Sequence, residues 1–304
     1  MNNAVFQQYI SFLVPYLKRT DIVEICINQE GEVWLETMTG EWEHKKEKKI
    51  TKEAVRLLTK NMATKSGQTF DPSTPYYSGR IPVYDYRIQV NMFSHVESGV
   101  SVSIRLGKAD IRPIDSYMSK KEAEKLISFV KEGKTILICA DTGAGKTTFL
   151  NSLSTHIPMN QRIVTIEDTR ELLIQQPNKV PFIKSKSDTD VAGLKYKDFI
   201  NFCTRIRPDR ILMGEIDTDN TMLFLNLSNS GHGGSISTMH SDTESRVFNK
   251  ICLNAQMSGI NGVSSEALMQ FAKEAIDVLV FLKKEIINKK RVFSARFVEV
   301  KNVK

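Results

Sequence analysis

The segment Ala140-Asp-Thr-Gly-Ala-Gly-Lys-Thr147 constrains this chain more than any other. It sits between an apolar run, Lys134 to Ala140, that reads as a buried strand and a stretch from Thr147 to His156 that reads as a helix. Gly143 and Gly145 let the backbone curl between the two, so that successive N–H groups point inward at the oxygens of a bound phosphate. The first turn of the following helix adds its partial positive charge. A strand, a glycine loop and a helix in this order belong in a parallel α/β sheet. Ala140 stands where a first glycine is usual, a position that needs only a small residue.

The phosphate set is Thr142, Gly143, Ala144, Gly145, Lys146, Thr147 and Thr148. Lys146 is expected to reach the β- and γ-phosphates of ATP, and the Thr147 hydroxyl to meet Mg²⁺. Hydrolysis also needs a carboxylate to orient water. Ile211-Leu-Met-Gly-Glu215 is an apolar strand ending in an acid, with Gly214 where an aspartate is common, so Mg²⁺ depends on Thr147, water and Glu215 itself. Ile163-Val-Thr-Ile-Glu-Asp168 ends in two more carboxylates. Strand C-terminal ends meet at one edge of a parallel sheet, so Glu167, Asp168, Glu215 and the loop converge. One of Glu167 and Glu215 would position or deprotonate the water, and the other would organise the metal. His232 and His240 flank a glycine turn and a short strand. With no third ligand nearby they do not read as a zinc site, and His240 reads instead as a neutral imidazole near the γ-phosphate. Arg205 and Arg210, beside Asp209, read as a surface salt-bridge cluster.

The rest of the chain divides at 107–118, a polar stretch with Pro113 that reads as a linker, giving domains 1–107 and 119–304 with 108–118 between them. Helix-like spacing covers Ala4 to Leu17 and Thr51 to Ala63. Strand-like stretches run from Ile22 to Asn28, Glu32 to Glu36, Tyr84 to Phe93 and Val100 to Leu106. His44 to Lys49 reads as a solvated turn or loop. Beyond the linker, Ser119 and Glu122 form a capping box, and helix alternates with strand.

A formal charge of +7 and pI of about 9.1 suit anionic lipid or nucleic acid. No RNA-binding fingerprint or basic helix accompanies that charge, so direct nucleic-acid binding is not expected. Cys26, Cys139, Cys203 and Cys252 are too dispersed for a metal knuckle, which points to a reducing compartment. The longest apolar run, Ala275 to Leu282, contains Asp277 and is too short to span a bilayer. A secretory signal is not evident in the opening residues.

Taken together, these motifs resemble the secretion-superfamily ATPases, most closely the traffic ATPases of type IV secretion and conjugation. The resemblance rests on 140–147, Thr165-Ile-Glu-Asp-Thr-Arg-Glu-Leu172, Arg205-Ile-Arg-Pro-Asp-Arg-Ile-Leu-Met-Gly-Glu215 and Ser230-Gly-His-Gly-Gly-Ser-Ile-Ser-Thr-Met-His240. Val23 to Asn28, Tyr86 to Val90 and Ser101 to Arg105 extend it into the first half. It implies an α/β fold, a RecA-like P-loop ATPase domain with a smaller α+β N-terminal domain, and a homohexameric ring. The ring would sit peripherally on the cytoplasmic face of the bacterial inner membrane and work with other components of a secretion or conjugation apparatus. By motif position, Arg87 and Arg105 would close over the γ-phosphate and Arg207 would face the nucleotide. The tetracysteine module of type II secretion ATPases is missing, as is a clear retraction-motor signature. An ATP-driven motor is the leading function; a nucleotide-gated docking ring and a type II secretion or pilus-type motor share the same motifs.

Overall fold

The structure is a computed structural model and describes residues 3–107, 111–184, 194–231, 233–260, 262–287 and 290–302. The backbone divides into two compact units, one around each of two sheets.

The first unit opens with α1 (Asn3–Ile10) and α2 (Val14–Leu17). These replace the single helix expected over Ala4 to Leu17. Pro15 lies in the first turn of α2, where its missing N–H costs nothing, but it cannot donate back into a continuous helix. Strands β1 (Ile22–Ile27), β2 (Glu32–Thr37), β3 (Trp42–Lys46), β4 (Tyr76–Ile81), β5 (Tyr86–Met92) and β6 (Val100–Arg105) form one sheet in the order β3-β2-β1-β6-β5-β4. All neighbouring pairs are antiparallel. The His44–Lys49 run is therefore half strand: its first three residues belong to β3, an edge strand paired only with β2, where charged side chains stay in water. Helix α3 (Lys52–Lys65) starts on Thr51, whose side chain accepts from Ala54 N, a cap worth about 1 kcal/mol. It buries Val55, Leu58 and Met62 into the same core as Ile25, Val33, Ile88 and Ile104.

The second unit begins with the segment 111–118. Rather than a bare connection, it carries Ile114 and Tyr117 into the second core, and the Arg112 N–H donates to Ser152 Oγ at 2.9 Å. Helix α4 (Lys120–Glu132) has the expected capping box and ends on Gly133 in the left-handed region. Then follow β7 (Ile136–Cys139), α5 (Lys146–Ser154), β8 (Ile163–Glu167), β9 (Lys179–Ile183), α6 (Tyr196–Ile206), β10 (Arg210–Met213), α7 (Thr221–Asn229), β11 (Ile236–Met239), α8 (Glu244–Met257), α9 (Ser265–Ala275), β12 (Val278–Ile287) and β13 (Lys290–Glu299). The sheet order is β13-β12-β7-β11-β10-β8-β9, and every pair from β12 through β9 is parallel. Strands β7, β10 and β11 are buried along their whole length, as strands with both faces covered must be. Among the described residues no helix is long and apolar enough to cross a membrane. The four cysteines are free, and Cys139 is fully buried.

Arg210 is a correction. It is 4% exposed, not a surface ion-pair partner, and its Nε donates to Gln161 Oε1 at 2.7 Å. Its guanidinium fills a slot left by two glycines. A Cβ on Gly133 would lie 2.9 Å from Nη1, and one on Gly234 only 1.4 Å from it. Asp209 instead accepts from the Arg162 N–H at 2.7 Å.

Candidate functional site

Parallel register brings three strand ends side by side. Met239 faces Cys139 across β11 and β7, and Met213 faces Ser237 across β10 and β11. Because β11 lies between the other two, the residue after it, His240, must sit between the glycine loop and Glu215. It does so: His240 Nδ1 is 3.0 Å from Lys146 Nζ, and Nε2 is 2.9 Å from Glu215 Oε1. Sequence reasoning had placed all three near a phosphate, but not in this mutual contact.

The loop itself turns through Gly143 (φ +70°) and Gly145 (φ +82°), a region that side chains with a Cβ enter only under strain. Gly145 caps α5, and the first helical bond runs from Phe149 N to Gly145 O at 2.9 Å. The N–H groups ahead of it have no partner within the helix and remain available to an anion. Lys146 is 9% exposed, and its ammonium donates to the carbonyls of Ala140 (3.2 Å) and Asp141 (3.3 Å). Burial lowers its pKa to about 8, against the pull of Glu215 and Asp141. Burial, then Lys146, hold His240 below the usual imidazole value despite Glu215, which keeps the ring neutral at physiological pH. A ligand with several negative charges would relieve the buried ammonium, so the residues present fit a polyphosphate.

Glu167 is placed differently from Glu215. It is 4% exposed, and its Oε1 accepts from the backbone N–H groups of Glu171 and Leu172, both at 2.7 Å. Its Oε2 accepts from Thr165 Oγ1 at 3.2 Å. Burial raises its pKa against those three donors. The carboxylate thus pins the loop after β8, helped by buried Asn151, whose side chain bonds Glu171 O (3.1 Å) and Leu173 N (2.8 Å). The acid strand holds its own loop. Gly214 lies beside Glu167, where a Cβ would come 3.6 Å from Glu167 Cγ.

Arg207 caps the C-terminus of α6 at φ +53°, exposed and in a left-handed conformation unusual for a side chain of its size. Arg87 and Arg105 occupy facing positions on β5 and β6, with Arg80 next along the same row on β4. His232 lies outside the described residues. Among the described residues no cluster of three or more His, Cys, Asp or Glu has metal-holding geometry. Lys250 was not anticipated; its Nζ donates to His240 O at 2.8 Å and fixes the backbone there. Its only sequence signal is a helical position ten residues on.

Comparison with known proteins follows the same lines. The sequence family described as Type II/IV secretion system protein matches residues 44–253. The VirB11 type IV secretion system protein of Bartonella quintana is 29% identical over 309 residues, covering 88% of this chain and 86% of that protein. VirB11 of Brucella abortus is 31% identical over 272 residues, covering 79% and 75%. Among solved structures, the VirB11 ATPase from the Brucella suis type IV secretion system, in complex with sulphate, is 27% identical with a TM-score of 0.53 and covers 98% of this chain and 95% of its own. Those matches span both units, and with them the chain belongs to the Type II/IV secretion system protein family, closely resembling its VirB11-type ATPases.

Proposed function

We propose that this chain hydrolyses ATP as a ring-forming motor that powers type IV secretion, conjugative transfer or pilus assembly. The observation that carries this reading is the Lys146–His240–Glu215 contact at the mouth of a loop with two left-handed glycines. Lys146 and the free N–H groups of α5 would hold the phosphates, with Thr142, Ala144 and Thr148 shaping the cradle around them. Mg²⁺, reached by the Thr147 hydroxyl and through water by Glu215, would neutralise charge on the phosphate oxygens. Glu215 would orient and deprotonate the attacking water, because Glu167 is committed to its own loop by three hydrogen bonds. His240, touching both Lys146 and Glu215, would register whether the terminal phosphate is present.

The facing pair Arg87 and Arg105 supports an anion contact on the first unit; beside it, Arg80 is paired with Asp85 at 2.6 Å and Glu24 faces Arg105 from β1. Like charges at facing positions of a sheet cost stability, and the pair fits a surface that meets negative charge. We assign Arg87 and Arg105 to the γ-phosphate and Arg207 to the nucleotide side, acting in a homohexamer peripheral to the bacterial inner membrane.

Turnover of ATP by purified Lys146→Ala and Glu215→Gln tests the reading. Lys146→Ala should weaken ATP binding and cut turnover by about a hundredfold or more. Glu215→Gln should bind ATP near normally and hydrolyse it at least about a hundredfold more slowly. Wild-type turnover in a folded Lys146→Ala protein would remove the assignment.

A further inference from the structure

Strand β12 alternates in and out with a period of two. Val278, Val280 and Leu282 join the core cluster that holds Phe149 and Leu150 of α5. The next residue on that face is Lys284. Core packing has ended there, and the side chain arrives at the glycine loop: its Nζ lies 3.4 Å from the point where a Cβ on Gly143 would be. Phe293 on β13 reaches the same loop, with a ring carbon 3.7 Å from the corresponding point on Gly145. The neighbouring lysine, Lys283, is occupied: its Nζ pairs with Glu285 at 2.7 Å. Among the described residues Lys284 has no ion pair or hydrogen bond.

The space in front of Lys284 is a cavity of about 490 Å³ bounded by the loop, β12, β13 and the residues after β11. Its other charged walls are Asp141, Lys283, Asp242 and Arg296, of which the last two are paired outside the cavity. Asp242 pairs with Arg246 at 2.5 Å, and Arg296 with Glu244 at 2.6 Å. The Ser241 hydroxyl, also in the wall, is shielded from solvent and unpartnered among the described residues. Ser241 and Asp242 directly follow His240, which touches Lys146. The cavity thus borders the glycine loop from its β12 side and reaches round to the residues that follow His240.

We propose that Lys284 is a second lysine of the nucleotide site, contacting the terminal phosphate of a bound nucleoside triphosphate from within the same subunit. This rests on the nucleotide reading above. Lys146 is anchored by two carbonyls and a histidine, whereas Lys284 is an exposed, unanchored cation on a flexible stem, placed to engage only when the phosphate is there. A charge-assisted contact of this kind discriminates triphosphate from diphosphate by its presence or absence.

The test measures binding of a non-hydrolysable ATP analogue and of ADP to the full chain, wild type, Lys284→Ala and Lys284→Arg, with Lys146→Ala as control. Lys284→Ala should lose about tenfold or more in analogue affinity and less than about twofold for ADP, and Lys284→Arg should recover most of the loss. In parallel, mild acylation read by mass spectrometry should show Lys284 protected by the analogue and much less by ADP. Unchanged analogue affinity in Lys284→Ala, where Lys146→Ala does lose binding, would overturn the role of Lys284 and leave the nucleotide site standing. If Lys146→Ala is equally indifferent, both fall.

Discussion

The two units solve the same problem of burying a sheet with opposite chemistry inside. Apart from the tyrosines Tyr16 and Tyr77, Thr59 is the one fully buried polar residue among the described residues of the first unit, and its hydroxyl merely bonds back to Val55 O at 2.7 Å. The second unit buries Lys146, Glu167, Arg210, Asn151, Gln176 and others. Burying such groups costs stability unless each finds its partners. The first unit thus behaves as an apolar scaffold that carries its charges on the surface. In the second, the polar groups are spread through the core and tie loops to strand ends, so that function and stability share the same residues.

That contrast can be broken, beginning where the effect is largest. Gly234→Ala should destabilise the second unit by about 2 kcal/mol or more, because φ is +79° and the new Cβ would strike the buried Arg210 guanidinium. Urea or thermal denaturation checks this; an unaltered midpoint would mean that Arg210 is free to leave its slot. Glu167→Gln should next cost about 1 kcal/mol at acid pH and progressively less as the pH rises. The sign follows from the raised pKa of Glu167: its contribution is present below the ordinary carboxylate value of 4.5 and is lost as pH rises through the raised value. Denaturation of both proteins across that range would show the gap narrowing, and a gap that widens would contradict the burial argument.

A smaller signal comes from Lys146. With a pKa near 8 in the ligand-free protein, the amine is partly deprotonated at pH 8, and a bound polyphosphate should restore its proton. Calorimetry in buffers of different ionisation enthalpy should record uptake of up to about half a proton per site at pH 8, falling toward pH 6.5. Lys146→Ala should abolish the uptake. The smallest effect belongs to the scaffold: Thr59→Val should change stability by less than about 1 kcal/mol, since the lost hydroxyl only back-bonds within α3. A change of several kcal/mol there would erase the distinction between the units.

The same contrast explains what was legible in the sequence. In the parallel unit a functional residue follows its strand directly in the chain, so Lys146, Glu215 and His240 appear as the ends of contiguous motifs. The antiparallel sheet scatters its row across strands: Arg80, Arg87 and Arg105 are neighbours only through register, which no local pattern encodes. β3 was half missed because a charged edge strand lacks the apolar alternation that marks a strand. Arg210 looked like a surface cation because the room for it comes from Gly133 and Gly234, distant in the chain. Glu167 and Glu215 were indistinguishable as strand-ending acids. Only the three-dimensional placement of the Glu171 and Leu172 N–H groups separates them.

The charged edge at β3 has a further consequence. An open sheet offers its outermost strand as a template on which another copy can add a strand and so polymerise. Here that strand presents Lys45 and Lys46 to water, with Lys48 and Lys49 just beyond it. A second copy docking there in register would bring like charges together and strip their water. Runaway strand addition is thereby disfavoured at that edge.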